Sequence, residues 1–338
     1  MSEKSVKTIA DIADICCVSK STVSRALNDS PQISDETKER IRAVAKQNRF
    51  QINIPARRLS LQRSHTIGFV VHAHDPEDLS PMRDLFSMEI LGAISSTLST
   101  YHYDLLVASV DPRDPDWPCQ YVDTGRVDGF ILLTAARKQS QVKAMLGVGV
   151  PFIVWGVPLS NLSYCSVIND NFDGGKKATE YLLKKGKSRI AFIGGPADEF
   201  EAQQRYNGYA AALQAGGKEV DPAQVTYGEW TNESGAAQAE RLLEAAPDLD
   251  GIFANSDLMA IGAINFLQSK GRSVPQDVAV VGYDDVSLAR LNNPPLTTIS
   301  QNIPLVGKLL GQNLIQNIET GLVSNVTVPA ELVIRESA

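Results

Sequence analysis

Apolar residues recur along the first fifty positions in short helical rhythms. Ile9, Ile12, Ala13 and Cys16 share one helical face, and Thr8 stands before them as an N-cap, a position that suits a side-chain oxygen able to accept an amide N–H. After a break at Cys17-Val18, Ser19 caps a second helix that turns Val23, Ala26 and Leu27 inward and leaves Lys20, Ser21, Thr22 and Arg25 outside. The turn formers of Asn28-Asp-Ser-Pro31 end it. Ser34 caps a third helix, with Asp35 and Glu36 in the first turn, where the helix dipole favours acids, and Ile41, Val44 and Ala45 along its apolar stripe. Two short helices across a tight turn, with a third in support, predict a helix-turn-helix over residues 5–52.

From residue 65 to 338 the rhythm changes. Short β-type runs at Thr66–Val71, Asp104–Ser109, Gly129–Leu133, Pro151–Val154, Arg189–Ile193, Val225–Gly228, Gly251–Ala254 and Val278–Val281 alternate with helical stretches. These include Phe86–Thr100, Asp173–Lys185, Gln203–Ala215, Glu233–Ala245 and Leu258–Lys270. The alternation predicts an α/β body with parallel sheets covered by helices on both faces. A body of this length is expected to divide into two lobes around a cleft. Residues 53–64 lie between head and body. Asn53 can cap a helix there and Pro55 falls in its first turn, but the segment is too short to be a stable helix alone.

Charge sharpens the division. Residues 1–63 hold 12 Lys and Arg against 7 acids, a net +5, which leaves −12 on the rest of a chain whose total is −7. A basic head on an acidic body can bind phosphates at one end while the body repels them, although a merely well-solvated head has the same balance. The four cysteines, Cys16, Cys17, Cys119 and Cys165, form no C-x-x-C pair, so reduced thiols in a cytoplasmic protein are expected. The first 20 residues lack a signal-peptide core and no apolar run approaches the ~20 residues of a membrane span.

Enzyme signatures are weak. Gly186-Lys-Ser188 resembles the end of a phosphate loop, but Tyr181 occupies the place of the first glycine. No G-x-G-x-x-G follows a strand and no G-x-S-x-G elbow occurs. His72, His74 and Asp75 are too few for a metal site and read as polar loop residues. No catalysis, metal or cofactor is therefore expected. The positions just beyond the strands offer a binding set instead: Arg205, Trp230, Ser256 and Asp284. An Arg fork, a carboxylate and an aromatic face suit a polyol. A structural ion pair between Arg205 and Asp284 is the other reading.

Lys7-Thr-Ile-Ala-Asp-Ile-Ala13 followed by Val18-Ser-Lys-Ser-Thr-Val-Ser-Arg-Ala-Leu-Asn28 closely resembles the head of the lactose-repressor (LacI/GalR) family of bacterial transcription regulators. Gly194-Gly-Pro196, Arg205-x-x-Gly208-Tyr209, Ala254–Gly262, Val280–Asp285 and Pro294–Thr298 resemble that family's sensor domain, which is related in fold to periplasmic sugar-binding proteins. The resemblance implies that Lys20, Ser21 and Arg25 read bases, while Ser19, Thr22 and Asn28 hold the DNA backbone, with Thr8 in the same DNA-facing set. It implies a hinge helix in which Ala56 packs closely against a dimer mate, Leu59 wedges into the minor groove, and Arg57 and Arg58 lie against phosphates. Arg205, Asp284, Ser256 and Trp230 become effector contacts, with His72 and Phe86 on the first lobe's side. Three positions depart from the family pattern: Cys17 replaces the turn glycine, Ile52 stands where a proline is common, and Gly156-Val157 lacks a usual polar contact.

The implied lobes are about 65–168 with 303–327, and about 169–302 with 328–338. With no heptad extension after Arg335, a homodimer reading a pseudo-palindromic operator is expected. The expected function is repression of a carbohydrate-utilisation operon under control of a small molecule, in particular a sugar. A regulator answering to a nucleobase or other metabolite, and a sugar receptor without DNA function, are the alternatives. The protein is expected in the cytoplasm, at the nucleoid when operator-bound.

Overall fold

The computed structural model describes residues 8–27, 29–48, 50, 63–72, 85–111, 114–133, 139–159 and 162–338, without the side chains of residues 72, 139 and 140. The chain divides into two units, Met1–Arg63 and Ser64–Ala338. Asn28, Ala56, Arg57, Arg58 and Leu59 lie outside the described residues, as do His74 and Asp75.

The first unit holds three helices: α1 (Ile9–Cys16), α2 (Lys20–Leu27) and α3 (Asp35–Gln47). Thr8 opens α1 with a capping box, its hydroxyl accepting the Asp11 amide at 3.2 Å while its own amide donates to Asp11 Oδ2 at 2.9 Å. Cys17 closes α1 in the left-handed region at φ 51°, so the turn is made without the glycine that adopts it most easily. Ser19 caps α2 by accepting the Thr22 amide at 3.0 Å. Ile12, Ala13, Cys16, Val23, Ala26, Ile41 and Ala45 form the core, the apolar faces expected from their spacing. Leu27 is only half-buried against it. Lys38 is buried among carboxylates, 3.2 Å from Asp29 and 3.3 Å from Asp35, and Arg42 reaches the same Asp29 oxygen at 2.7 Å. Hydrogen bonds from Lys38 and Arg42 hold the Asp29 carboxyl below its ordinary range.

The second unit contains two six-stranded sheets. Its elements are β1 (Thr66–His72), α4 (Leu85–Thr100), β2 (Asp104–Val110), α5 (Trp117–Val122), β3 (Gly129–Leu133), α6 (Gln139–Val148), β4 (Phe152–Trp155), β5 (Cys165–Asn169), α7 (Asn171–Lys184), β6 (Ile190–Gly194), α8 (Phe200–Ala215), β7 (Val225–Tyr227), α9 (Asn232–Ala245), β8 (Gly251–Ala254), α10 (Asp257–Ser269), β9 (Ala279–Asp284), α11 (Ser287–Leu291), β10 (Thr297–Ser300), α12 (Ile303–Thr320), β11 (Asn325–Val328) and β12 (Glu331–Val333). One sheet runs β11-β5-β4-β3-β1-β2 and the other β12-β10-β9-β8-β6-β7. Every pairing is parallel except β10 with β12. Each sheet carries an apolar cluster on each face, which is why its central strands read as continuous hydrophobic runs.

The chain passes between the sheets three times: from β5 into α7, from β10 into α12, and from β11 into β12. Among the described residues no helix is long and apolar enough to cross a membrane.

Candidate functional site

The crossings and the carboxyl ends of the second sheet's strands bring one polar cluster together. Arg205 on α8 is buried at its centre. Its placement depends on a close approach of α7 and α8, since a Cβ on Gly175 would lie 2.2 Å from the Arg205 carbonyl oxygen and one on Gly208 2.1 Å from that of Phe172. Nε donates to Asn171 Oδ1 at 2.8 Å and Nη1 to the Asn255 carbonyl at 2.5 Å. The guanidinium carbon is 3.7 Å from the Tyr283 ring centroid and 5.6 Å from that of Trp230. Tyr283 in turn donates its hydroxyl to Asn169 Oδ1 at 2.6 Å, and burial pushes that phenol well above its ordinary range.

Asp284 ends β9 with φ 119°, a region that side-chain-bearing residues rarely adopt, and Asp285 follows at φ 59°. Such backbone persists only where its surroundings over-determine it, and it collects at ligand clamps and switch segments. Arg335 holds Asp285 at 2.5 Å. Gln301, at the β10–α12 crossing, donates Nε2 to Asp284 Oδ1 at 2.6 Å. The Arg205 Nη1 to Asp284 Oδ1 distance is 3.9 Å, too long for a hydrogen bond. The two groups form a long ion pair without a direct hydrogen bond, and each has shorter partners of its own.

Trp230 also has a positive φ, 59°. Its Nε1 donates to Glu199 Oε2 at 3.0 Å. The indole lies directly on Gly195, where a Cβ would come within 2.1 Å of the ring, so the Gly194-Gly-Pro196 turn makes room for it. Ser256 is buried and its hydroxyl caps α10, accepting the Met259 amide at 3.2 Å. Beside it, Asp257 is wholly buried, accepting from Thr298 Oγ1 at 2.5 Å and from the Val286 amide at 2.9 Å. Burial, then the charge of Asp284, raises the Asp257 carboxyl well above its ordinary value.

In the first lobe, Phe86 pairs with Trp155, their ring centroids 6.1 Å apart. His72 ends β1, and its side chain lies outside the described residues. Val286 packs into the first lobe's core, and Glu89 on α4 accepts both the amide (2.8 Å) and the hydroxyl (2.5 Å) of Ser287. The segment carrying Asp284 is thus tied to both lobes. Asn171, Asn255, Tyr283, Gln301 and Trp155 escaped the reading of the sequence. Asn255 and Tyr283 lay inside the Ala254–Gly262 and Val280–Asp285 motifs without being singled out, and Trp155 stood one residue past a predicted strand.

In the first unit, Ser19, Lys20, Ser21 and Arg25 are exposed and Thr22 is half-exposed. The Ser19 hydroxyl lies 2.7 Å from that of Ser21 and 2.8 Å from that of Thr22. Three hydroxyls therefore cluster at the amino end of α2, where unpaired amides and the helix dipole attract anions.

Residues 8–53 match the family model described as bacterial regulatory proteins, lacI family. Residues 64–336 match the model for periplasmic binding proteins and the sugar binding domain of the LacI family. The HTH-type transcriptional regulator CelR of Thermobifida fusca is 34% identical over 337 residues, with 98% of each chain covered. A solved complex of the transcriptional regulator CelR with cellobiose matches with a TM-score of 0.74 at 32% identity, covering 98% of this chain and 99% of that one. The lac repressor dimer bound to operator and the anti-inducer ONPF matches with a TM-score of 0.82 at 26% identity, covering 98% of each chain.

Proposed function

The chain belongs to the LacI family of bacterial regulatory proteins, and from that premise we propose that it is a repressor of a carbohydrate-utilisation operon whose hold on DNA is set by a saccharide. Lys20, Ser21 and Arg25 read base edges in the major groove. Ser19, Thr22, Thr8 and Asn28 hold the phosphate backbone, and Ala56, Arg57 and Leu59 complete the contact from the hinge. Two copies bind a pseudo-palindrome, one head on each half-site. The protein acts in the cytoplasm, on the nucleoid when its operator is occupied.

The observation that carries the effector reading is the Arg205–Asp284 pair, buried, adjacent and 3.9 Å apart. A cation and an anion held at this spacing can divide one pair of ring hydroxyls, which donate to the carboxylate and accept from the guanidinium. Trp230 offers a flat apolar face for the C–H side of a sugar ring, and Phe86 with Trp155 does so from the first lobe. Ser256 and His72 complete the proposed set. A sugar bridging the lobes favours their closed arrangement, which changes the presentation of the hinges and so the operator affinity.

Cellobiose is the first ligand to try, because the CelR complex contains it. Fluorescence anisotropy on duplex DNA from upstream of the protein's own gene tests both halves. Binding that prefers this duplex over random competitor, and that changes by roughly 5–150-fold with cellobiose or another sugar, is expected. No preference for any duplex, with or without sugars, sinks the proposal.

A further inference from the structure

We infer that the Asn255 carboxamide is a further effector contact, selecting a neutral ligand hydroxyl that both donates and accepts; the inference rests on the effector reading of Arg205 and Asp284. Asn255 is the first residue beyond β8, at the carboxyl end of its sheet, where open α/β folds bind ligands. Its main chain is fully engaged: the N–H donates to the Ile193 carbonyl at 2.8 Å and the carbonyl accepts Arg205 Nη1 at 2.5 Å. Its side chain is wholly buried, yet among the described residues neither Oδ1 nor Nδ2 has a partner.

Gln301 repeats the pattern. Its Nε2 holds Asp284, while its buried Oε1 has no partner among the described residues. An unpaired amide thus adjoins each charged anchor, one through the Asn255 carbonyl and the other through the Asp284 carboxylate. Buried amides are nearly always paired, because an unpaired one destabilises the folded chain. Unpaired groups gathered around a binding cluster are what a ligand would complete.

The chemistry of the ligand follows from the atoms. An amide offers a donor and an acceptor in one plane, which fits a hydroxyl or two adjacent hydroxyls. An acidic ligand group would face the Asp284 carboxylate and the orphan oxygens of Asn255 and Gln301. Ser256, the neighbour expected to reach the effector, spends an acceptor site on capping α10. Asn255 supplies a donor and an acceptor beside it.

The test is Asn255→Leu, which keeps the branched heavy-atom shape and removes both orphan polar atoms, with Asn255→Ala as a second variant that adds no bulk. Without ligand, Asn255→Leu is expected to melt at or above the wild-type temperature. By calorimetry, both variants are expected to bind cellobiose at least about tenfold more weakly. A ligand-free melting temperature several degrees lower in Asn255→Leu overturns the inference, since the amide then belongs to the scaffold. Unchanged cellobiose affinity in Asn255→Ala overturns it as well. If the wild-type protein binds no saccharide at all, the effector reading fails separately, and the ligand-free melts still decide whether the amide is scaffold.

Discussion

The Asp128 carboxylate grips Ser64 twice, through its main-chain amide at 2.6 Å and its hydroxyl at 2.8 Å. Its second oxygen takes the His65 amide at 2.9 Å, and the Asp128 amide donates to Thr66 at 2.8 Å. Ser64 opens the second unit, immediately after the last residue of the first. Asp128 and β1 thus fix the start of the second unit against the first sheet.

Asp128→Ala is expected to retain operator binding and sugar binding while losing the connection between them. The sugar-induced change in operator affinity should fall to less than about twofold, from the range usual for coupled sites. Freeing three donors should also destabilise the body by about 1–3 kcal/mol. Operator titrations with and without sugar measure the first effect, and denaturant melts the second.

Arg205→Lys preserves charge but not the planar fork. A lysine cannot serve Asn171 Oδ1, the Asn255 carbonyl and the Tyr283 ring at once. Sugar affinity should drop by on the order of 100-fold, the size of one or two charged hydrogen bonds. Affinity within a few-fold of wild type would remove Arg205 from the effector site.

Asp257 makes the body's stability depend on pH in an unusual direction. Its folded pKa is raised by burial and by Asp284, so the unfolded chain gives up this proton first. The native state then binds more protons than the unfolded state, and this contribution to stability is lost as pH rises from 3.8 through the folded value. In Asp257→Asn, Oδ1 can still accept from Val286 while the amide donates to Thr298 Oγ1, whose hydroxyl proton is free to turn. Melting curves from about pH 4.5 to about pH 8 should show a smaller decline in the variant than in wild type.

The head responds in the opposite sense. Hydrogen bonds from Lys38 and then Arg42 depress Asp29, so its contribution is present above the ordinary value of 3.8 and is lost as pH falls through the lowered folded value. Asp29→Asn should lower the head's melting temperature at neutral pH and reduce its sensitivity to acid. Far-ultraviolet circular dichroism of both proteins on either side of that window reads the difference.

If Arg25 reads a base as proposed, Arg25→Ala should weaken operator binding by about 1–3 kcal/mol and relax the preference at that one position. Lys20→Ala should act similarly. A uniform loss across all duplexes with a shallower salt dependence would reassign either residue to phosphate contact.

The head was legible because its signals are local. The hydroxyl caps at Thr8, Ser19 and Ser34 and the apolar spacing of Ile12, Val23 and Ile41 act within a few residues. In the body, β3 and β8 were found at their observed limits, while β5 and β10–β12 were not read as strands at all. Cys165–Asn169 is short with only Val167 and Ile168 as β-branched apolar residues, Thr297–Ser300 is short and mostly hydroxylic, and both become strands only through partners supplied from elsewhere in the chain. The same holds for the site. Arg205, Asn255 and Asp284 stood in recognisable motifs, but Asn171 and Gln301 acquire meaning only once α7, α8 and the β10–α12 crossing converge.

The triple passage between sheets also governs how the body is made. Each sheet receives an edge strand from the last few residues, β11 for one and β12 for the other. Ser337 then binds Val280 and Thr297 deep in the second lobe. Neither lobe can finish folding on the ribosome ahead of its companion, although vectorial synthesis favours early domains. A premature stop near residue 320 would therefore strip an edge strand from both sheets at once.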